Sequence, residues 1–226
     1  MIKFLAKGLI RDRSRSLFPL LTIIITVTLV IFGIGFMEGA MNNFLQSTAV
    51  ISSGHAKVVT KAYKKESSQL PNDLALFETN KIIQNLSDLY PNYFWTPRIT
   101  FGGLLDTPNE DGDTKEQGPV FGIGIDFHSK TSRQIEIWEL EKYLLHGNLP
   151  KNTNDALIST KLAKQLSVNV GSTVTLISTT MDNAFTTYNF KITGIFNLNK
   201  GQVDRQMMLV DTVSYTHLTL PTSLAV

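Results

Sequence analysis

An α+β fold held to a membrane by one N-terminal helix is predicted by three observations. Leu17 to Met37 is a run of 21 residues without a charge. From residue 40 to residue 211, helical and alternating apolar patterns are interspersed, as in a folded α+β domain. No other hydrophobic segment approaches the 18 residues needed to cross a bilayer. The expected layout is a cytoplasmic amphipathic segment (1–16), a transmembrane helix (17–37), a two-lobed extracytoplasmic α+β core domain (40–211) and a tail (212–226).

The apolar run comes first because the rest depends on it. As a helix it spans about 32 Å at ~1.5 Å per residue, close to the ~30 Å hydrocarbon core. Fourteen of its residues are Leu, Ile, Val or Phe. Near mid-bilayer they contribute on the order of −6 kcal/mol to insertion. Thr22, Thr26 and Thr28 can bond back to helix carbonyls, and Pro19 is placed in the first turn, where an N–H would lack a partner anyway. A cleaved signal peptide is the main rival. Its apolar region would be about 7–15 residues long, although Gly33-Ile34-Gly35 does fit a small-x-small cleavage site. A buried soluble helix fits less well, since no face of the segment is polar.

Orientation follows from charge. Lys3, Lys7, Arg11, Arg13 and Arg15 precede the run, with Asp12 the only acid among them. They place the N-terminus in the cytoplasm and carry the remainder across the membrane. Ile2, Leu5 and Leu9 alternate with three of these bases, which suits a short amphipathic helix on the cytoplasmic surface; purely topogenic charges are the alternative. The net charge of +2 is thus a local N-terminal feature, and the rest of the chain is slightly acidic, which argues against a nucleic-acid surface.

Beyond the membrane, "HAKVVTK" (55–61) reads as a strand. In "TNKIIQNLSDLYPN" (79–92), Ile82, Ile83, Leu86, Leu89 and Tyr90 predict a helix with one buried face, ending before Pro91. "YFWTPRITFGGLL" and "PVFGIGIDF" are β-rich and flank the loop 106–118. "SRQIEIWELEKYLLHG" (132–147) reads as a helix with Gly147 as its C-cap. "DALIST", "STVTLIST", "NFKITGIF" and "RQMMLVD" alternate as strands, with a short helix "KLAKQL" after the first. Phe94, Trp95, Ile99, Phe121, Ile123, Ile125, Leu157, Val174, Leu176, Ile192 and Ile195 are expected inside. The ending "VSYTHLTLPTSLAV" has no Lys, Arg or acid and resembles translated adapter sequence. A non-native tail on a truncated gene is expected there; a genuine, weakly ordered C-terminus is the alternative.

Reactive groups do not converge in the sequence. The absence of cysteine excludes disulfides, thiol catalysis and cysteine zinc sites. His55, His128, His146 and His217 lack the spacing of a metal pair. Asp111-Gly112-Asp113 lacks the carboxylate spacing and terminal glutamate of a calcium loop, and reads as a solvated hairpin. Gly122-Ile123-Gly124 lacks a third glycine and a following helix, so close backbone packing is the better reading. No Walker loop and no G-x-S-x-G occurs, and no catalytic, cofactor or metal residue is assigned. Gly35 and Gly39 have the four-residue spacing that lets a second membrane helix approach closely, with a merely tolerated glycine as the alternative.

Taken in order, several stretches carry a resemblance. The basic start, the helix ending in "GFMEGAMNNFLQ" and then "SSGHAKVV" resemble the opening of ABC-transporter permeases of the MacB-like, FtsX-like superfamily, nearest its lipoprotein-releasing branch. "VFGIGIDF" with "LLHGNLP" is similar to a strand and loop of that family. "DALISTKLAKQLSVNVGSTVTLIST…FKITGIF" matches best, on Leu157, Ala163, Leu166, Val170, Gly171, Val174, Leu176, Ile192, Gly194 and Ile195. The resemblance implies four membrane helices with a large outer domain between the first two, a second permease subunit, and a separate ATPase subunit that binds the ATP. It further implies the bacterial inner membrane as location, contact with membrane lipid, no nucleic acid and no cofactor in this chain. The last three helices and the cytoplasmic coupling segments are not in the sequence. A self-contained anchored protein that binds a ligand or assists envelope assembly is the competing reading, and an anchored hydrolase a third.

Overall fold

The computed structural model describes residues 13–48, 54–66, 74–76, 78–109, 113–129, 133–179, 184–198 and 205–213. The chain divides into two units, Met1–Ala56 and Lys57–Val226.

The first unit carries the helix α1 (Arg13–Thr48), of 36 residues. Every residue from Leu17 to Asn42 is exposed, and the large apolar side chains range from 46% at Leu21 to 78% at Phe18. A core helix would bury at least one stripe; this one buries none. Thr22 Oγ1 donates to the Phe18 carbonyl at 2.9 Å and Thr26 Oγ1 to the Thr22 carbonyl at 2.7 Å. Those hydroxyls therefore need no outside partner in hydrocarbon. Two boundaries differ from expectation. The helix begins at Arg13, so Pro19 lies in its second turn rather than its first, and the Arg15 carbonyl lacks its usual donor. The helix also continues past Met37 and Ala40 to Thr48, because "AMNNFLQST" contains no proline and no glycine to stop it.

In the second unit, short helices α2 (Lys61–Lys65) and α3 (Thr79–Leu89) precede the sheet. Strands β1 (Ile99–Pro108) and β2 (Thr114–Ile125) form an antiparallel hairpin. Helical turns α4 (Gln134–Ile137) and α5 (Leu140–Tyr143) lead into β3 (Leu144–Gly147). Then come β4 (Asp155–Ser159), α6 (Thr160–Gln165), β5 (Thr173–Thr179), β6 (Phe185–Phe196) and β7 (Met207–Asp211).

The strand order is β3-β6-β4-β7-β2-β1-β5, and β5 pairs again with β6. Six strands therefore close into a ring, which removes most exposed strand edges. The length of β6 makes closure possible. Its first half, to Lys191, pairs with β5, and its second half, from Lys191, pairs in parallel with β4. β3 adds to that second half through Leu144, His146 and Gly147. The described strands all belong to this sheet, so the second lobe expected from sequence is not a separate sheet among the described residues.

Inside the ring, Phe101, Leu105, Val120, Ile158, Val174, Leu176, Phe190, Ile192, Met208 and Val210 form one core. They alternate along their strands with outward residues, as a pleated strand requires. β4 and β7 are buried at every position, so their outer faces are covered too. The helix α6 plugs the core with Leu162, Ala163 and Leu166. Ser159 Oγ caps its start by accepting from the Leu162 amide at 3.2 Å. At its end Ser167 turns left-handed, with Ser167 N donating to the Lys164 carbonyl and Val168 N to the Ala163 carbonyl. That is a Schellman stop made without glycine.

Four sequence expectations give way. Residues 106–118 are not one loop: β1 runs on to Pro108 and β2 starts at Thr114. Residues 55–61 do not form a strand: they run extended to Thr60, which caps α2. The helix expected over 132–147 breaks at Glu139, whose φ is 50°, and its last four residues become β3. Burial explains that break, since Trp138, Leu140 and Gln134 are all inside and one straight helix would not bury all three. Finally, α3 buries none of its residues; Ile82, Ile83 and Leu86 are half-covered, and Leu89 and Tyr90 are exposed. Of the expected core, Phe94 is 43% exposed and Trp95, Ile99 and Phe121 are half-buried; the others are buried.

Candidate functional site

The first candidate surface is α1 itself. Gly35 and Gly39 lie four residues apart on it, and a Cβ built on either meets nothing within 4 Å. A partner helix thus has open access to both. Arg13 and Arg15 fall in the first turn of α1. Lys3, Lys7 and Arg11 lie outside the described residues, as do Asp111, Gly112, His217 and the tail from residue 214.

A second surface follows α3. The exposed rings of Tyr90, Tyr93 and Phe94 gather beside Trp95, with Tyr93 and Trp95 centroids 6.0 Å apart and Tyr90 and Tyr93 edge-on at 6.2 Å. The Arg133 guanidinium sits 5.7 Å from the Phe94 ring, and bidentate bonds of 2.9 Å join it to Glu136. Those bonds raise the Arg133 pKa and lower that of Glu136. Beneath the rings, Arg98 lies 4.8 Å from the Trp138 ring centroid. With its amide oxygen facing the guanidinium, the buried Gln134 accepts from Arg98 Nε and Nη2 at 3.2 Å. Burial lowers the Arg98 pKa to about 10, since desolvation penalises its charged form. Trp95 Nε1 and Thr96 Oγ1 are buried and meet no hydrogen-bond partner among the described residues. The sequence marked Phe94 and Trp95 only as core, because aromatic residues in a β-rich run look alike whether they line a core or a surface.

A third feature is an open cavity of about 390 Å³ lined by Asn148, Leu149, Lys151, Asn152, Asp155, Val170, Gly171, Lys191, Ile192 and Thr193. Asp155 is not available to a ligand there. It is 5% exposed, and its Oδ2 accepts from the Lys151 and Asn152 amides at 2.9 Å and from Asn152 Nδ2 at 3.2 Å. It pins the 148–155 loop to the start of β4.

Among the described residues no three His, Asp or Glu side chains come together in a metal-binding group. His55, His128 and His146 are exposed and belong to separate elements. Gly122 and Gly124 lie inside β2 against β1: a side chain on Gly122 would collide with the Phe101 ring, and a Cβ on Gly124 would lie 2.6 Å from Ile99 Cγ2. These glycines serve packing of the hairpin. Among the described residues the geometry offers an exposed apolar helix and an exposed aromatic turn rather than a converging set of reactive groups.

No curated protein matches the chain. The family model for the MacB-like periplasmic core domain does, over residues 16–224, and so takes in nearly all of α1 and the whole sheet. The chain belongs to the MacB-like periplasmic core domain family.

Proposed function

We propose that this chain is the first membrane helix and the outer domain of an ABC-transporter permease, and that its task is mechanical. α1 spans the inner membrane with the basic N-terminus in the cytoplasm. The strand ring stands on the far side. A separate ATPase subunit binds and hydrolyses ATP at the cytoplasmic face, and a second permease subunit completes the membrane part. Closure of the ATPase is passed through the membrane helices to the outer domain, which gates or pushes a substrate for export or lipoprotein release. The chain itself binds no nucleotide and catalyses no reaction.

One observation carries this reading: a helix apolar and exposed all round from Leu17 to Asn42, within a stretch that the family model matches from residue 16 to residue 224. In water the bare apolar surface of α1 would aggregate, whereas in lipid it is satisfied. A rigid closed ring of strands suits the transmission of displacement because it has few free edges at which to yield.

The test is co-purification. The tagged full-length gene product, expressed with the ABC ATPase gene neighbouring it and extracted in mild detergent, should bring the ATPase down in stoichiometric amount. Purification without any ATPase, from a locus that encodes no further apolar segments of about twenty residues, would overturn the reading.

A further inference from the structure

We propose that the basic turn Lys57–Lys65 docks on the phosphate headgroups of an anionic lipid surface, an inference that rests on α1 spanning a membrane. In α2, Lys61, Lys64 and Lys65 stand at i, i+3 and i+4, so their ammonium groups share one face. Tyr63 is buried at 8% exposure and anchors the opposite face. Lys57, in the preceding segment, sets its Nζ 4.9 Å from the ring centroid of that same Tyr63. The turn is fastened: Thr60 Oγ1 accepts from the Tyr63 amide at 3.0 Å and donates to the Leu74 carbonyl at 2.8 Å.

All four lysines are exposed, and none forms an ion pair with a described residue. Elsewhere in the domain, Lys81 and Lys142 each hold a glutamate at 2.8 Å. The sequence has no acid between Glu38 and Glu66, so the exposed C-cap Glu66 sets one carboxylate against the four lysines. Like charges at this spacing repel each other, so the arrangement is stable against an anion and unfavourable alone. The helix dipole accounts for Lys64 and Lys65 in the last turn, but it opposes Lys61 in the first and does not reach Lys57.

A lipid surface is the favoured partner for three reasons. Only residues 43–56 separate the apolar span from Lys57. Lysines are point charges that suit mobile phosphates without demanding a fixed geometry. Val58, 44% exposed among them, adds the apolar contact of an interfacial segment.

The experiment reconstitutes the full chain in phosphatidylcholine vesicles and in vesicles containing about 30% phosphatidylglycerol. Amine labelling of Lys57, Lys61, Lys64 and Lys65 is then followed by mass spectrometry, with exposed Lys164 and Lys191 as references. Labelling of the four should slow at least five-fold on anionic vesicles relative to the references, and 0.5 M NaCl should restore it. In K61Q/K64Q/K65Q, which spares Thr60 and Tyr63, Lys57 should lose its protection. Equal labelling on both vesicle types overturns the proposal, and so does protection by inorganic phosphate alone in neutral vesicles, which would make the site a free-anion site. Failure of the chain to float with neutral vesicles would instead sink the membrane-spanning reading, so the two failures are separable.

Discussion

At single residues the structure separates two reasons for glycine. Gly171 has φ 96° and open space around a would-be Cβ, so only its backbone conformation requires glycine. Gly147 has φ 85°, and its Cβ would collide with the Thr193 carbonyl and come within 2.8 Å of Gly194 Cα, both on β6. Alanine at Gly171 should cost about 1–2 kcal/mol for the left-handed conformation alone. At Gly147 the same cost is joined by roughly 1–3 kcal/mol of overpacking, because backbone rather than a pliable side chain is in the way. Urea unfolding of the two variants in detergent, followed by circular dichroism, should rank Gly147→Ala below Gly171→Ala. The reverse order would mean that β3 is not held against β6 as described. The sequence marked Gly147 as a helix cap. It carried the need for positive φ correctly and the identity of the neighbouring element wrongly, since a glycine reports its own backbone and not what lies beside it.

Elements differ in how far local pattern determines them. For α1 composition suffices, and the magnitudes make a direct test. Its fourteen strongly apolar residues supply on the order of −6 kcal/mol, while one arginine at mid-span costs about 2.5–3.5 kcal/mol. Ile24→Arg alone should leave the chain in the carbonate-resistant membrane fraction, whereas Ile24→Arg with Val30→Arg should release it. Full retention of the double variant would show that insertion does not depend on this segment. The strands β4, β5, β6 and β7 were legible because alternation or a short apolar run bounded by polar residues is a local signal. The parallel pairings β2–β7 and β4–β6 were not, since nothing within either strand records its neighbour. The helix expected over 132–147 failed for a related reason: its periodicity was real, but burying Trp138 and Leu140 required a break at Glu139. Of the candidate surfaces, the apolar helix and its glycines were readable. The aromatic turn was not, because α3 was credited with a buried face that the sheet does not cover.

At the scale of the whole molecule, the division at Ala56 and Lys57 carries a consequence for folding. The strand ring has its own core, drawn from β1, β2, β4, β5, β6, β7 and α6. A unit that encloses its own apolar core is expected to fold alone. Residues 57–226 should therefore be soluble and unfold cooperatively, with a Tm within about 4 °C of the same domain in the full chain in detergent. That window corresponds to ~1 kcal/mol for a domain of this size. A cut after Thr179 should behave differently. It removes β6 and β7, which are the hydrogen-bonding partners of β4 on its two edges, and it opens the ring at β5 as well. β4 is buried at all five positions, so losing both neighbours exposes the centre of the core rather than its rim. The shorter fragment should show no cooperative transition and should bind a hydrophobic dye at room temperature, as an exposed apolar core does. A cooperative transition in residues 57–179 would mean that the ring is not the unit of stability. A large drop in Tm for residues 57–226 would mean that α1 supports the domain through contacts made only in the intact chain.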